Sequence, residues 1–191
     1  MKINVGCGDD VRDGWVNVDI RATRPSVIVH DLSRFPWPFS DNSADEMLLS
    51  DFLEHFPYAD TDRILLECYR VLKTGGIVTI QVPDAVHTAR ALIQEGEYLC
   101  NRCGGAMSDY ERDSCEQCGQ TRDEISQAAM QRLYGGQNYS GNFHYTCFTQ
   151  RSLVQKSEKS GLNYHSLSDD ADHLVKNWTI GIKFFKGDLW K

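Results

Sequence analysis

Residues 3–20 read INVGCGDDVRDGWVNVDI. Two apolar runs lie close together, with Gly6 and Gly8 just past the first and Asp19 near the end of the second. KINV, from Lys2 to Val5, alternates and stops at Gly6, the pattern of a buried parallel strand before a tight turn. About eight residues join it to the second run, WVNVDI, whereas a parallel crossover ordinarily takes a dozen or more. The first connection must therefore be a turn rather than a helix, and its glycines let the backbone bend there.

Further strands are expected at SVIVH (26–30), ADEMLLS (44–50) and GIVTIQVPD, which Pro83 terminates. The intervening FPWPFSDNS is too proline-rich for helix or central strand. YADTDRILLECYRVLKTGG reads as a helix. Asp60 or Thr61 caps its start, and Ile64, Leu65, Cys68 and Leu72 share one face. Lys73 suits its C-terminal end, and Gly75 or Gly76 ends it. AVHTARALIQEG and Thr121–Leu133 also read as helices, and another starts with Thr149 as N-cap. Two strands follow, near residues 163–168 and 178–185. Strands alternating with helices predict an α/β fold with a doubly wound, mostly parallel sheet. Ligands of such sheets bind at the carboxyl ends of the strands, an edge that would gather Gly6, Gly8, Asp19, His30, Asp31, Ser50 and Asp51.

The formal charge is −7, which argues against a nucleic-acid or anionic-membrane surface. No stretch reaches the roughly 18 apolar residues of a membrane span. Asp9, Asp10 and Asp13 stand where a signal peptide would be apolar, so a cytoplasmic location is expected.

A glycine turn after the first strand suggests a nucleotide cofactor. A dinucleotide would set its pyrophosphate against Asp9 and Asp10, and one like-charge contact at 4 Å costs roughly 4 kcal/mol before screening. The third glycine of that fingerprint is replaced by Val11. Asp19 lies 13 residues beyond Gly6, where about 20 are expected. S-adenosylmethionine has no phosphate and carries a sulfonium cation, which tolerates these carboxylates. Gly6 and Gly8 would let the backbone approach it, Asp19 could accept both ribose hydroxyls, and Asp31 with the Leu32 N–H could read the adenine.

The words NVGCG, GWVNVDI, HDLSRFPWPFSDNSADEMLLSDFLEH, LLECYRVLKTGGIVTIQVPD, LYGGQ, FHYTCFT and SL cover most of residues 3–85 and 133–153. In them the chain resembles the small class I S-adenosylmethionine-dependent methyltransferases, in particular a group of short predicted methyltransferases. The resemblance implies a seven-stranded Rossmann-like sheet and cofactor contacts at Gly6, Cys7, Gly8, Asp19, Ile20, Asp31, Leu32 and Ser50. The chain departs from the family at Asp10, which ends the glycine run, and at Thr74, where a proline is usual. It also lacks the N-terminal helices that cover the cofactor in many relatives. The insertion over residues 97–145 is then the expected cover.

CNRC and CEQC are separated by 11 residues. Each CxxC turn presents two thiolates to one tetrahedral ion, so Cys100, Cys103, Cys115 and Cys118 form a zinc-knuckle signature. Disulfides and an iron–sulfur centre are the alternatives. Four thiolates leave no open coordination position, which makes such a zinc structural.

Methyl transfer is an in-line displacement that needs a base only for a hydroxyl or protonated amine. His144, within FHYTCFT, is the candidate base, or else a packing histidine. Asp51, at the ligand edge, could bind acceptor or cofactor. His55 more often anchors a loop. Tyr134, Tyr139, Phe143 and Tyr145 could stack on an acceptor or fill the core of a lid. The expectation is one methyltransferase-like domain, residues 1–191, with a zinc-knuckle insertion at 97–120. Its acceptor would be a small molecule or glycan precursor, without nucleic acid or membrane, and the zinc insertion could also dock a protein. The alternative is a non-catalytic S-adenosyl-ligand-binding module or zinc-dependent adaptor.

Overall fold

The computed structural model describes residues 1–93, 98–107, 113–169 and 178–187. Seven strands form one sheet: β1 (Lys2–Val5), β2 (Val16–Asp19), β3 (Val27–Val29), β4 (Ala44–Ser50), β5 (Leu72–Pro83), β8 (Leu162–Leu167) and β9 (Thr179–Lys186). Their order is β3-β2-β1-β4-β5-β9-β8. Six of these strands point the same way, and β9 alone runs opposite to them. This is the Rossmann-like, mostly parallel sheet expected from the sequence. A two-stranded ribbon, β6 (Tyr98–Leu99) and β7 (Ala106–Met107), stands apart; the sequence reading did not foresee it.

The core lies on one face of the sheet. Ile3, Val5, Val18, Met47, Leu49, Val78, Ile80, Val82, Ile182 and Phe184 alternate along their strands into a single cluster. Helices α1 (Thr61–Val71) and α4 (Gln150–Lys159) cover it through Ile64, Leu65, Cys68 and Leu153. The other face carries Asn4, Asn17, Glu46, Leu48, Thr79, Gln81 and Lys183. There the expected shrinkage of the first crossover is complete: residues 6–15 contain no helix. Two buried asparagines hold the turn instead. Asn4 Nδ2 donates to the Asp10 carbonyl at 2.6 Å, and Asn17 Nδ2 donates to the Arg12 and Trp15 carbonyls. Asn17 Oδ1 accepts from the Arg12 N–H. A side chain thus supplies the pairing that an intrahelical bond would have made.

Helix α1 is shorter than expected. It ends at Val71, and Leu72, extended at φ −63 and ψ 139, opens β5 by pairing with Ala44. Register resumes at Glu46 opposite Ile77, so Lys73-Thr74-Gly75-Gly76 bulges out of the strand instead of capping a helix. Gly75 sits at φ +77. Neither expected N-cap forms: Asp60 is itself helical and makes no capping bond, and the Thr61 hydroxyl turns back to the Tyr58 carbonyl.

Helix α2 (Ala85–Ile93) is described only to Ile93, so the end of its predicted span lies outside the described residues. Helix α3 (Arg122–Tyr134) starts one residue later than expected, because Thr121 stands outside it as the N-cap and forms a capping box with Glu124. The Thr149 cap of α4 forms a second capping box with Ser152. Among the described residues, no helix is long and apolar enough to cross a membrane.

Candidate functional site

The turn after β1 is built for close approach. Gly6 and Gly8 lie at φ +67 and +50. A Cβ on Gly6 would stand 2.1 Å from the Phe52 ring. Asp19, at the end of β2, accepts from the Gly8 N–H at 2.9 Å on one oxygen and from the Arg21 N–H at 3.0 Å on the other. Its carboxylate is thereby fixed, and each oxygen keeps a further lone pair. Asp31, after β3, accepts from the Ser33 hydroxyl and amide and from Arg34. The Ser33 hydroxyl, above all, lowers its carboxyl below the usual range.

A cavity of about 500 Å³ joins these elements. Gly6, Gly8, Asp19, Ile20, Asp31, Leu32 and Asp51 all line it. Cys7 and Ser50 do not; they line an adjoining cavity with Gly6, Gly8, Asp9, Asp10 and Asp51. Burial, then Asp19, pushes the Cys7 thiol up to about 11, so it stays protonated. Phe52, Phe56, Arg21, Ser140 and Gly141, which the sequence did not single out, line the first cavity as well, and so does Tyr139, one of the aromatics expected to stack on an acceptor or fill a lid. Arg21 lies over the Tyr139 ring at 4.5 Å. The cover at this side is therefore the aromatic loop after α3, not the cysteine turns.

A further cavity, of about 400 Å³, shares Asp51, His55 and Tyr139 with the first. It also takes in Asn101, Arg132, Asn142 and His144. Asn101 comes from the first CxxC turn, so the cysteine unit reaches this cavity. Three segments converge here. His144 Nδ1 lies 2.8 Å from the Arg132 carbonyl at the end of α3, and His55 Nδ1 lies 3.0 Å from the Phe143 carbonyl. Tyr145 and Thr146 donate their amides to the Glu54 carbonyl. His55 thus anchors the loop, as its residue type suggested. Burial, chiefly, lowers the His144 pKa and keeps the ring neutral. Arg132 stands 3.7 Å from Asp51, which holds the left-handed conformation at φ +47. Glu54 is fully buried, and neither of its carboxylate oxygens makes a hydrogen bond. Burial first, and Asp51 second, raise its carboxyl well above the usual range. Glu54 escaped the sequence reading because LEH is equally an ordinary packing turn.

The four cluster cysteines come together. Their sulfurs lie within 4.8 Å of one another, with Cys100 3.6 Å from Cys118 and Cys103 3.5 Å from Cys115. A tetrahedron with about 2.3 Å from zinc to sulfur has edges of about 3.8 Å, whereas a disulfide spans about 2.05 Å. The two turns are near copies. Gly104 and Gly119 donate to the Cys100 and Cys115 carbonyls at 2.8 Å, and both lie in the left-handed region.

A seven-stranded sheet with one antiparallel strand, a glycine turn after β1 and carboxylates after β2 and β3 defines a class of protein. It is the fold of the class I S-adenosylmethionine-dependent methyltransferases. Residues 5–80 match the family model described as a methyltransferase domain. No curated protein matches.

Solved structures share the fold. The Burkholderia thailandensis 1,6-didemethyltoxoflavin-N1-methyltransferase, with 1,6-didemethyltoxoflavin and S-adenosylhomocysteine bound, is 12% identical with a TM-score of 0.58. That match covers 98% of this chain and 71% of the relative. A S-adenosylmethionine-dependent methyltransferase of Methanosarcina mazei is 16% identical at a TM-score of 0.57, covering 97% and 92%. A complex of the Haloferax volcanii Trm112 methyltransferase activator with a putative methyltransferase is 12% identical at 0.58, covering 100% and 83%.

Proposed function

We propose that the protein methylates a small molecule or glycan precursor bound in the cavity lined by Asp51, Asn101, Arg132, Asn142 and His144. The observation that carries this reading is the shared wall. Asp51, His55 and Tyr139 belong both to that cavity and to the one at the glycine turn, so a cofactor and an acceptor would meet there.

S-adenosylmethionine fits the first cavity on this chain's own chemistry. Left-handed Gly6 leaves space that any side chain would fill, and the preset Asp19 carboxylate can still accept hydroxyls. The bound cofactor supplies an activated methyl group on a sulfonium. In this reading Gly6 and Gly8 admit its amino-acid end, Asp19 accepts from the ribose, and Asp31, Leu32 and Ile20 border the adenine. Cys7 and Ser50 shape the neighbouring wall. His144 offers a neutral ring, and Asp51 a carboxylate, at the acceptor side.

A structural zinc on Cys100, Cys103, Cys115 and Cys118 holds Asn101 at the acceptor cavity, which favours a lid over a docking surface. The net charge of −7 favours a small acceptor over a nucleic acid.

Calorimetry tests the cofactor half of this reading. S-adenosylhomocysteine should bind at micromolar strength and NAD much more weakly; tight NAD binding would overturn it. A screen of acceptors with labelled cofactor tests the other half.

A further inference from the structure

Glu54 poses a problem that the methyl-transfer reading leaves unsolved. Its side chain is 0% exposed, and both oxygens lack a hydrogen bond. A buried carboxylate in that state is strongly destabilising; Asp51 adds repulsion, and the charge of Arg132 acts the other way without supplying a hydrogen bond. Protonation would not cure it, because the new O–H would need an acceptor.

Two histidines face it. A carboxylate oxygen of Glu54 and one ring nitrogen each of His55 and His144 all lie within 4.8 Å of one another. Each ring sets Nδ1 against a backbone carbonyl, Phe143 for His55 and Arg132 for His144. A carbonyl only accepts, so Nδ1 carries the proton in both rings. Each Nε2 then keeps its lone pair. Metal-binding histidines are commonly oriented in this way by backbone carbonyls.

We propose that Glu54, His55 and His144 bind a divalent first-row transition cation at the wall between the two cavities. Two imidazoles and one carboxylate suit such an ion better than magnesium or calcium, which prefer all-oxygen sets. Three protein ligands leave positions open, and His55 and His144 both line the acceptor cavity. The ion can therefore take an oxygen of the acceptor, which points to an oxygen-bearing substrate. His144 then serves as a ligand rather than a free base. The ligands are held before the metal arrives, since Tyr145 and Thr146 tie the loop to the Glu54 backbone.

The inference rests on the acceptor-cavity reading, but its test does not need the acceptor. The full chain, with zinc on its cysteine cluster, is titrated with cobalt(II) and followed by visible absorption. Uptake at the cysteines would show sulfur-to-metal charge transfer; uptake at this site would not. One equivalent bound without that charge transfer is expected. Glu54→Gln and His144→Ala should each weaken it at least about 100-fold, while S-adenosylhomocysteine affinity changes less than about threefold in Glu54→Gln. Having two variants guards against a folding defect in either. Cobalt bound only at the cysteines, or bound equally well by both variants, would overturn the proposal and leave the cofactor reading standing. Failure of the unaltered chain to bind S-adenosylhomocysteine would strike the cofactor reading and leave the metal result intact.

Discussion

Asp19 shows how one carboxylate can be positioned without being used up. The Gly8 and Arg21 amides orient it at 2.9 and 3.0 Å. Asp19→Ala should remove charge-assisted bonds worth about 1.5–3 kcal/mol, a loss of tenfold or more in S-adenosylhomocysteine affinity by calorimetry. Gly6 is constrained twice, by a φ of +67 and by the Phe52 ring. Left-handed backbone alone costs a side chain about 1–2 kcal/mol. Gly6→Ala should therefore lower the midpoint of thermal unfolding and weaken cofactor binding together. A variant that keeps both would show that the turn relaxes. His144→Asn should cut turnover about 100-fold or more with cofactor affinity unchanged, whether the ring acts as a base or as a metal ligand. Equal losses of stability and turnover would instead make His144 a packing residue.

Helix α1 and the proline-rich loop are joined through two side chains. Glu67 pairs with Arg70 at 2.7 Å and accepts from the Trp37 N–H at 2.8 Å. Arg70 reaches on to Asp41 and the Phe39 carbonyl. Burial works against the Glu67 charge, but Arg70 and the Trp37 amide outweigh it and hold the carboxyl below the usual range. Folding thus lowers this pKa. Its contribution is complete above the ordinary glutamate value of about 4.3 and is lost as pH falls through the folded value. Glu67→Gln should cost about 1–3 kcal/mol at neutral pH. Denaturant titrations should find the variant's stability less steep than wild type below about pH 4; parallel slopes would contradict the linkage. In the cysteine unit, α3 buries only Ile125 and Ala129. With so little apolar contact, the caps and the proposed zinc would have to hold this unit.

At the scale of the molecule, the described residues form two separate hydrophobic clusters. The sheet, α1 and α4 share one, while Ala91, Ile125, Ala129, Trp178 and the cluster cysteines share the other. Closed thiolate sites contribute on the order of 10 kcal/mol of apparent binding energy in small zinc domains. Cys115→Ser should therefore loosen the second cluster and raise its protease sensitivity while the far-UV circular dichroism of the sheet persists. Activity should fall more than cofactor affinity, because Asn101 lines the acceptor cavity. Elemental analysis finding no zinc in freshly reduced protein would refute the metal.

Local chemistry wrote much of this into the sequence. Alternation specified the strands, the short gap after Val5 forbade a helix, Thr121 and Thr149 marked two helix starts, and cysteine spacing predicted a four-sulfur cluster. These signals lie within a few residues of one another, where backbone sterics and side-chain reach decide the outcome. Other features needed distant partners. Leu72 looked helical until Ala44 offered it a ladder. The aromatic loop became the cover only by meeting Arg21. Glu54 acquired meaning only when folding stripped it of water and set two histidines beside it. Burial and long-range proximity are properties of the folded chain, and it is desolvation, absent from any short stretch of sequence, that turns an ordinary LEH turn into a candidate metal site.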